Sequence, residues 1–360
     1  MGKFYSLKNI LKTDAVYYVI FGGRSNGKTF AVQEYALKRY WEKGEQLGII
    51  RRYRDDFIGK RGQVMFSNQV DSGNVKRITG GVYNDVFYYS SAWYLCNRKP
   101  GGEVVRDERP FCYAFSLSSM EHDKSTAYPG IKNVLFDEFI TRSVYLADEF
   151  VIFMNVLSTI IRHRTDVKIF MLGNTVNRYC PYFAEMGLSH IKEQKEGSID
   201  VYTYGDSNLK VAVEYTENKA GKESSKYFAF DNPKLSMITG SEWELDIYPH
   251  CPVKYKPKHI VFTYFIQFDD ILLQCEIVSC EGSAFTFIHE KTTPLQRPDR
   301  DIIYTPEHNP LPNYSRNIKK PVNEIQKKIY WFFQADSVYF QDNKIGDVVR
   351  NYLLWCDKNA

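Results

Sequence analysis

The 360-residue chain has no apolar run of about twenty residues, so nothing in it reads as a membrane-spanning helix. Its first residues, MGKFYSLKNILK, lack the apolar core and cleavage site of a secretory leader, and a soluble, intracellular protein is expected. The seven cysteines, at 96, 112, 180, 251, 275, 280 and 356, make no C-x-x-C pair and keep no regular spacing. They read as the reduced thiols of a cytosolic protein rather than as a disulfide framework. Charge is nearly balanced, 47 Lys and Arg against 43 Asp and Glu, and the net +4 is too mild to demand a polyanionic partner, although it opposes none. Internal repeats and low-complexity tracts are also missing.

What is present is core material and one dense motif. Apolar residues make up 44% of the chain and aromatics 16%, and the length exceeds a usual single core, so two domains are expected. Residues 16–30 read VYYVIFGGRSNGKTF: an apolar run suited to a buried strand, a glycine break, and an amphipathic pattern beginning at Lys28. Within it lies the complete G-x-x-x-x-G-K-[ST] spacing. Gly22, Gly23, Arg24, Ser25, Asn26 and Gly27 form a loop whose backbone N–H groups can turn toward phosphates; Lys28 can reach the β- and γ-phosphates, and the Thr29 hydroxyl can ligate Mg2+. The following helix offers its positive end to the same anion. ATP with Mg2+ is the expected cofactor pair.

The pattern continues as a helix over 29–43 and a second strand over 46–53, a β-α-β unit with a right-handed crossover. Between 59 and 110, glycine pairs at 80–81 and 101–102 punctuate Val-, Tyr- and Phe-rich runs, which suits a β-hairpin excursion. Strands are expected again near 111–119, 131–137 and 167–173, with an apolar helix at 148–161. Strands interleaved with helices mean a doubly wound α/β domain, placed at 1–190. Residues 191–245, charged and glycine-containing, read as a linker or small connecting domain around a short strand pair. From 246 to 360, three closely spaced β-rich runs read as an antiparallel meander, followed by helices near 321–335 and 344–355: an α+β second domain.

Residues 134–136 run directly into Asp137 and Glu138. A buried strand ending in two carboxylates suits Mg-nucleotide hydrolysis, with Asp137 in the Mg2+ shell and Glu138 polarising the attacking water. Asn174, at the end of the 167–173 strand, falls at the carboxyl edge where such sheets bind ligands; it either senses the γ-phosphate or simply forms a turn. The N-K-x-D element for guanine does not occur there, which sets a switch GTPase aside. Arg162 and Arg164 end the apolar helix as Arg-His-Arg. Either they favour the helix dipole, or one is an arginine finger, which would come from a neighbouring subunit if this end lies away from the chain's own phosphate loop. Arg24, inside the loop, is a candidate in-cis contact to phosphate or to that neighbour.

The elements FGGRSNGKTF, KGEQLGIIRRYR, HDKSTAYPGIKNVLFDEFI and IIRHRTDVKIFMLGNTV resemble, in order and spacing over about residues 15–185, the DNA-packaging ATPases of phi29-type phages, compact relatives of the large terminase subunits. The resemblance implies an ASCE, RecA-like P-loop ATPase domain with a mostly parallel sheet, followed by a smaller RNase H-like α+β domain. It implies a homomeric, pentameric ring at the portal of a procapsid, in the host cytoplasm and absent from the mature virion, driving double-stranded DNA with ATP and engaging a packaging RNA. Carried onto this chain, Lys28 and Thr29 match the Walker A pair and Asp137 and Glu138 the Walker B pair. Arg162 matches the trans finger with Arg164 beside it, and Lys124 a second trans-acting cation. The second domain is expected to be a non-cutting remnant of a nuclease, its acids Asp269, Asp270, Glu276, Glu290, Asp299 and Asp301 being scattered. DNA contact is expected through phosphates, with Lys60 and Arg61 as channel candidates; Lys319, Lys320, Lys327 and Lys328 form a second basic patch for RNA or portal. The alternatives are a nucleotide-dependent assembly switch that does not translocate, and a P-loop helicase or recombination ATPase.

Overall fold

The computed structural model describes residues 5–358 except 25, 123–126, 142–144, 147, 175–179, 218–247, 252, 269–270 and 281. The chain divides into two compact units, one of residues 1–176 and 180–244, the other of 177–179 and 245–360.

In the first unit, β1 (Tyr17–Gly22) leads into α1 (Lys28–Lys43) and β2 (Gln46–Arg51). Gly27, at φ 84°, turns the chain into α1, and Gly44, at φ 70°, ends it by donating its N–H to the carbonyls of Arg39 and Tyr40. Three short helices follow, α2 (Lys60–Gln63), α3 (Ser67–Asp71) and α4 (Asn74–Ile78), then β3 (Asp85–Tyr89), β4 (Ala92–Arg98), β5 (Val104–Arg106) and β6 (Cys112–Ser116). The remainder is β7 (Ile131–Asp137), α5 (Glu149–Ile161), β8 (Lys168–Asn174), α6 (Pro181–Glu185), β9 (Ile199–Tyr204) and β10 (Leu209–Thr216).

The strands lie in the order β3-β4-β6-β2-β7-β8-β1-β10-β9, with β5 on β4. From β6 to β10 every neighbouring pair is parallel; the β3–β4–β5 excursion and β9 are antiparallel additions. Alternation along β1 shows why both faces are covered. Val19 and Phe21 belong to one core, with α5 residues Phe153, Val156 and Ile160, while Tyr18 and Ile20 belong to the other, with α1 residues Val32, Ala36 and Leu37.

Two expectations are corrected here. The stretch 59–110 does contain the hairpin, as β3 and β4, but its first third is helical. Helices of four or five residues are too short to display a 3.6-residue period. Residues 191–245 are not wholly a linker: β10 pairs in parallel with β1 and carries β9 on its other edge, so the first unit runs well past 190. Val211, Ala212 and Val213 are buried in that pairing, and β9 with β10 is the short strand pair expected in this stretch.

The second unit holds the expected meander, β11 (Ile260–Phe268), β12 (Ile271–Cys280) and β13 (Ser283–Glu290), then β14 (Ile303–Tyr304), β15 (Tyr314–Ser315), α7 (Glu324–Gln334), β16 (Val338–Phe340) and α8 (Asn343–Lys358). Its order is β15-β14-β11-β12-β13-β16, with β14 parallel to β11 and β16 parallel to β13. The Asn323 side chain caps α7 by accepting from the Gln326 N–H. Ile329 and Phe332 of α7, with Ile345, Val348 and Tyr352 of α8, pack on Tyr264, Ile266, Leu273 and Cys275 of the sheet.

Candidate nucleotide site

The sheet order decides which residues meet. β8 lies between β1 and β7, so the strand ends that carry Gly22, Asn174 and Asp137 sit side by side, with Gly22 in register with Asn174 and Asp137 with Leu172. Lys28 turns back into this edge: its ammonium donates to the carbonyls of Gly22 (3.3 Å) and Gly23 (2.7 Å) and to Asn174 Oδ1 (3.3 Å). Burial pulls the Lys28 pKa down to about 8, against the opposing pull of Asp137. Thr29 donates its hydroxyl to Asp137 Oδ1 at 3.1 Å.

Gly22 is required by a close approach. A Cβ there would lie 2.1 Å from Thr216 Oγ1. Thr216, at the end of β10, in turn accepts from the Asn26 amide at 3.0 Å, and that amide also donates to the Glu217 carbonyl at 2.8 Å. The loop is therefore held by a strand nearly two hundred positions away in sequence. Arg24 is exposed on it.

Glu138 leaves β7 in a left-handed conformation, φ 62°, which costs a non-glycine residue about 1 kcal/mol or more. The turn is fixed by the Phe139 N–H on the Leu172 carbonyl, and it holds the Glu138 side chain 62% exposed beside the buried Asp137. Both carboxylates are engaged by one guanidinium, Arg51 at the end of β2: Nη2 lies 2.6 Å from Asp137 and Nη1 2.9 Å from Glu138. Arg52 faces the opposite way. It forks onto Glu149 at 2.7 and 2.8 Å and reaches the carbonyls of Glu138 and Phe139; Glu149 also accepts from the Tyr182 hydroxyl and the Leu146 N–H, each at 2.8 Å. Arg52 and Glu149 are buried, and this satisfied pair anchors the turn behind Glu138 and the start of α5 together. Arg51, Arg52 and Glu149 were not among the expected site residues. The available signal was the Arg-Arg doublet at the carboxyl end of the second strand.

A cavity of about 590 Å3 opens from the loop, lined by Asn26, Gly27, Lys28, Thr29, Phe30, Asn68, Ser72 and Asn174. It thus joins the loop, β8 and the α3 segment.

The remaining expected residues fall elsewhere. Arg162 is exposed, with φ 52° just after α5, near the amino-terminal end of β7 and β8 and so at the edge opposite the phosphate loop. A seven-residue strand spans about 20 Å, which places Arg162 far from Asp137 of its own chain. Arg164, expected beside the finger, instead directs its guanidinium to the carbonyls of Tyr128, Pro129, Ile131, Ile160 and Ile161, which joins the end of α5 to the entry of β7. Lys124 and Ser25 lie outside the described residues, as do Asp269 and Asp270. Lys60 and Arg61 are exposed on α2, a turn pinned by Trp93 Nε1 on the Gly62 carbonyl and by the Tyr88 hydroxyl on the Phe57 carbonyl. In the second unit Glu276 accepts from Tyr255 and Gln274 and pairs with His289, Glu290 pairs with Lys344, and Asp299 and Asp301 face Arg300 and Arg297. Lys319 and Lys327 are paired with Asp357 and Glu324, whereas Lys320 and Lys328 are exposed.

Residues 98–219 match the family described as Podovirus DNA encapsidation protein (Gp16). The chain resembles phi29-type DNA packaging proteins. A DNA packaging protein of Bacillus phage B103 is 28% identical over 189 residues, 50% of this chain and 50% of that protein. The chain thus spans about half the length of the curated relatives it matches. Two solved structures share its fold over nearly its whole length. The bacteriophage Phi-29 viral genome packaging motor assembly has a TM-score of 0.59 at 18% identity over 96% of this chain and 97% of that one, and the Phi-28 gp11 DNA packaging motor 0.56 at 20% over 98% of each.

Proposed function

We propose that the chain is an ATP-hydrolysing motor that moves double-stranded DNA into a phage procapsid as a homomeric, pentameric ring at the portal. The observation that carries the reading is the meeting at one sheet edge of Lys28 and Thr29, which open α1, with Asp137 and Glu138 at the end of β7 and Asn174 at the end of β8. The domain is read as ASCE-type, because a further strand, β8, stands between the phosphate-loop strand and the carboxylate strand. The second unit is read as RNase H-like and non-cutting; an antiparallel meander with β14 parallel to its first strand, backed by helices, supports the fold.

The residues divide the work as follows. The loop N–H groups and the α1 amino terminus take the β-phosphate. Lys28, released from the Gly22 and Gly23 carbonyls, moves to the γ-phosphate, and Asn174, now unpaired, follows that phosphate. A hydroxyl and a carboxylate oxygen 3.1 Å apart are hard donors that fit Mg2+, so Thr29 and Asp137 would hold it. When bound, it would supply charge neutralisation at the phosphates. Glu138 orients water for in-line attack and accepts its proton, which requires Arg51 to give up Nη1's hold on that carboxylate. Arg162, at the far edge of its own sheet, is read as the finger for the next subunit's site, with Lys124 as a second cation there. Lys60 and Arg61 are read as contacts to DNA phosphates, and Lys320 and Lys328 as contacts to RNA or portal.

The test mixes two inactive variants, Glu138→Gln and Arg162→Ala, with double-stranded DNA and ATP. Partial recovery of phosphate release at intermediate ratios is the expected result; none at any ratio counts against shared sites. Uptake of DNA into procapsids by the wild-type chain with ATP tests the motor itself, and hydrolysis that DNA does not stimulate argues for a switch instead.

A further inference from the structure

The phosphate end of the site is accounted for by the loop, but the cavity continues past it, and its far wall is made by the segment of short helices. About 590 Å3 falls within the range that takes a whole small ligand rather than a phosphate group alone. The wall is built rather than incidental. Gln69, fully buried, donates to the Phe30 carbonyl at 2.8 Å and accepts from the Asn74 amide at 3.0 Å, and Gln33 of α1 donates to the Met65 carbonyl at 3.0 Å. These bonds lash the α3 segment to the first turns of the phosphate-loop helix.

The polar side chains lining the cavity are nearly all committed. Asn26 is held by Thr216 and Glu217, Asn174 and Lys28 by each other, Thr29 by Asp137, and Ser72 donates to the Gln69 carbonyl. Among the described residues the Asn68 amide has no hydrogen-bond partner, and the Phe30 ring, directly after Thr29, has no aromatic one. An uncommitted amide and an unstacked ring lining one cavity beyond a triphosphate cradle offer a flat apolar surface together with one donor and one acceptor.

Building on the nucleotide-site reading above, we infer that Phe30 and Asn68 form the base subsite, Phe30 stacking on adenine and Asn68 bonding its N6 and N7 edge. A carboxamide pairs with adenine there, accepting from N6 and donating to N7. Guanine offers two acceptors on the same edge, so the amide oxygen would face O6, and ATP is selected over GTP.

The test measures binding of ATP, GTP and inorganic tripolyphosphate by calorimetry to the wild-type chain and to Phe30→Leu, Phe30→Ala and Asn68→Ala, each checked for folding by circular dichroism. Phe30→Leu keeps an apolar side chain of similar bulk, and Asn68 is exposed, so loss of folding is not the expected cause of any change. Expected is a loss of about tenfold in ATP affinity for the Phe30 variants, loss of the ATP-over-GTP preference in Asn68→Ala, and tripolyphosphate affinity unchanged throughout. ATP affinity and base preference that stay within about twofold of wild type in all three variants overturn the inference while leaving the nucleotide site standing. A wild-type chain that binds none of the three overturns the nucleotide-site reading itself.

Discussion

Lys28 carries a pH signature set by its burial. Burial brings its pKa from 10.5 to about 8. A triphosphate restores the charge, so above pH 8 binding must draw a proton from solution. With the terminal phosphate already ionised in this range, affinity is expected to be level below about pH 8 and to fall toward tenfold per pH unit above it. Between about pH 7 and about pH 9.5 the loss is roughly thirtyfold, or about 2 kcal/mol. The folding contribution has the same origin and the opposite slope. A lysine with a lowered folded pKa costs stability fully below pH 8, and the cost is relieved as pH rises from about 8 to 10.5, by about 3 kcal/mol. Calorimetric titration of ATP in two buffers of different ionisation heat reads both affinity and proton uptake, with uptake approaching one proton at the upper end. Lys28→Arg, whose cation does not titrate, is expected to bind with no such slope. A level wild-type affinity, or an equally steep fall in Lys28→Arg, would refute the reasoning.

Three further outcomes are expected. Arg164→Met strips donors from five backbone carbonyls and should lower stability by about 3 kcal/mol in urea titration; an unchanged midpoint with lost ATPase activity would return Arg164 to the chemistry. Arg52→Met leaves Glu149 buried without its cation and should cost about 3–5 kcal/mol, whereas Arg52→Met with Glu149→Leu should cost clearly less, as a double-mutant cycle measures. Gly22→Ala drives a methyl into Thr216 Oγ1 and should lower the thermal midpoint, with partial relief from Thr216→Ala because the Thr216 carbonyl at 3.0 Å remains.

The contrast between Arg162 and Arg164 shows what a sequence can and cannot carry. As Arg-His-Arg they read as one basic pair, but a single left-handed residue at Arg162 turns the chain, leaving that side chain exposed while Arg164 bonds to the backbone. The phosphate loop, Asp137, Glu138 and Asn174 were legible because strand-end chemistry is local: each follows its own apolar run. Arg51 was not, because its role arises from β2 lying beside β7, a neighbour 86 positions away. The first unit's extension past 190 escaped for the same reason, β10 finding its partner β1 only in three dimensions. The helices α2 to α4 were hidden by brevity, and with them Asn68 on the cavity wall.

Arg164 grips the entry of β7 while Asp137 and Glu138 stand at its exit. A strand bonded on both sides, to β2 and β8, neither stretches nor bends on its own. Arg164 thus ties the turn that carries Arg162 to the strand that ends in Asp137, so that β7 joins the two sheet edges that the proposed shared site would use.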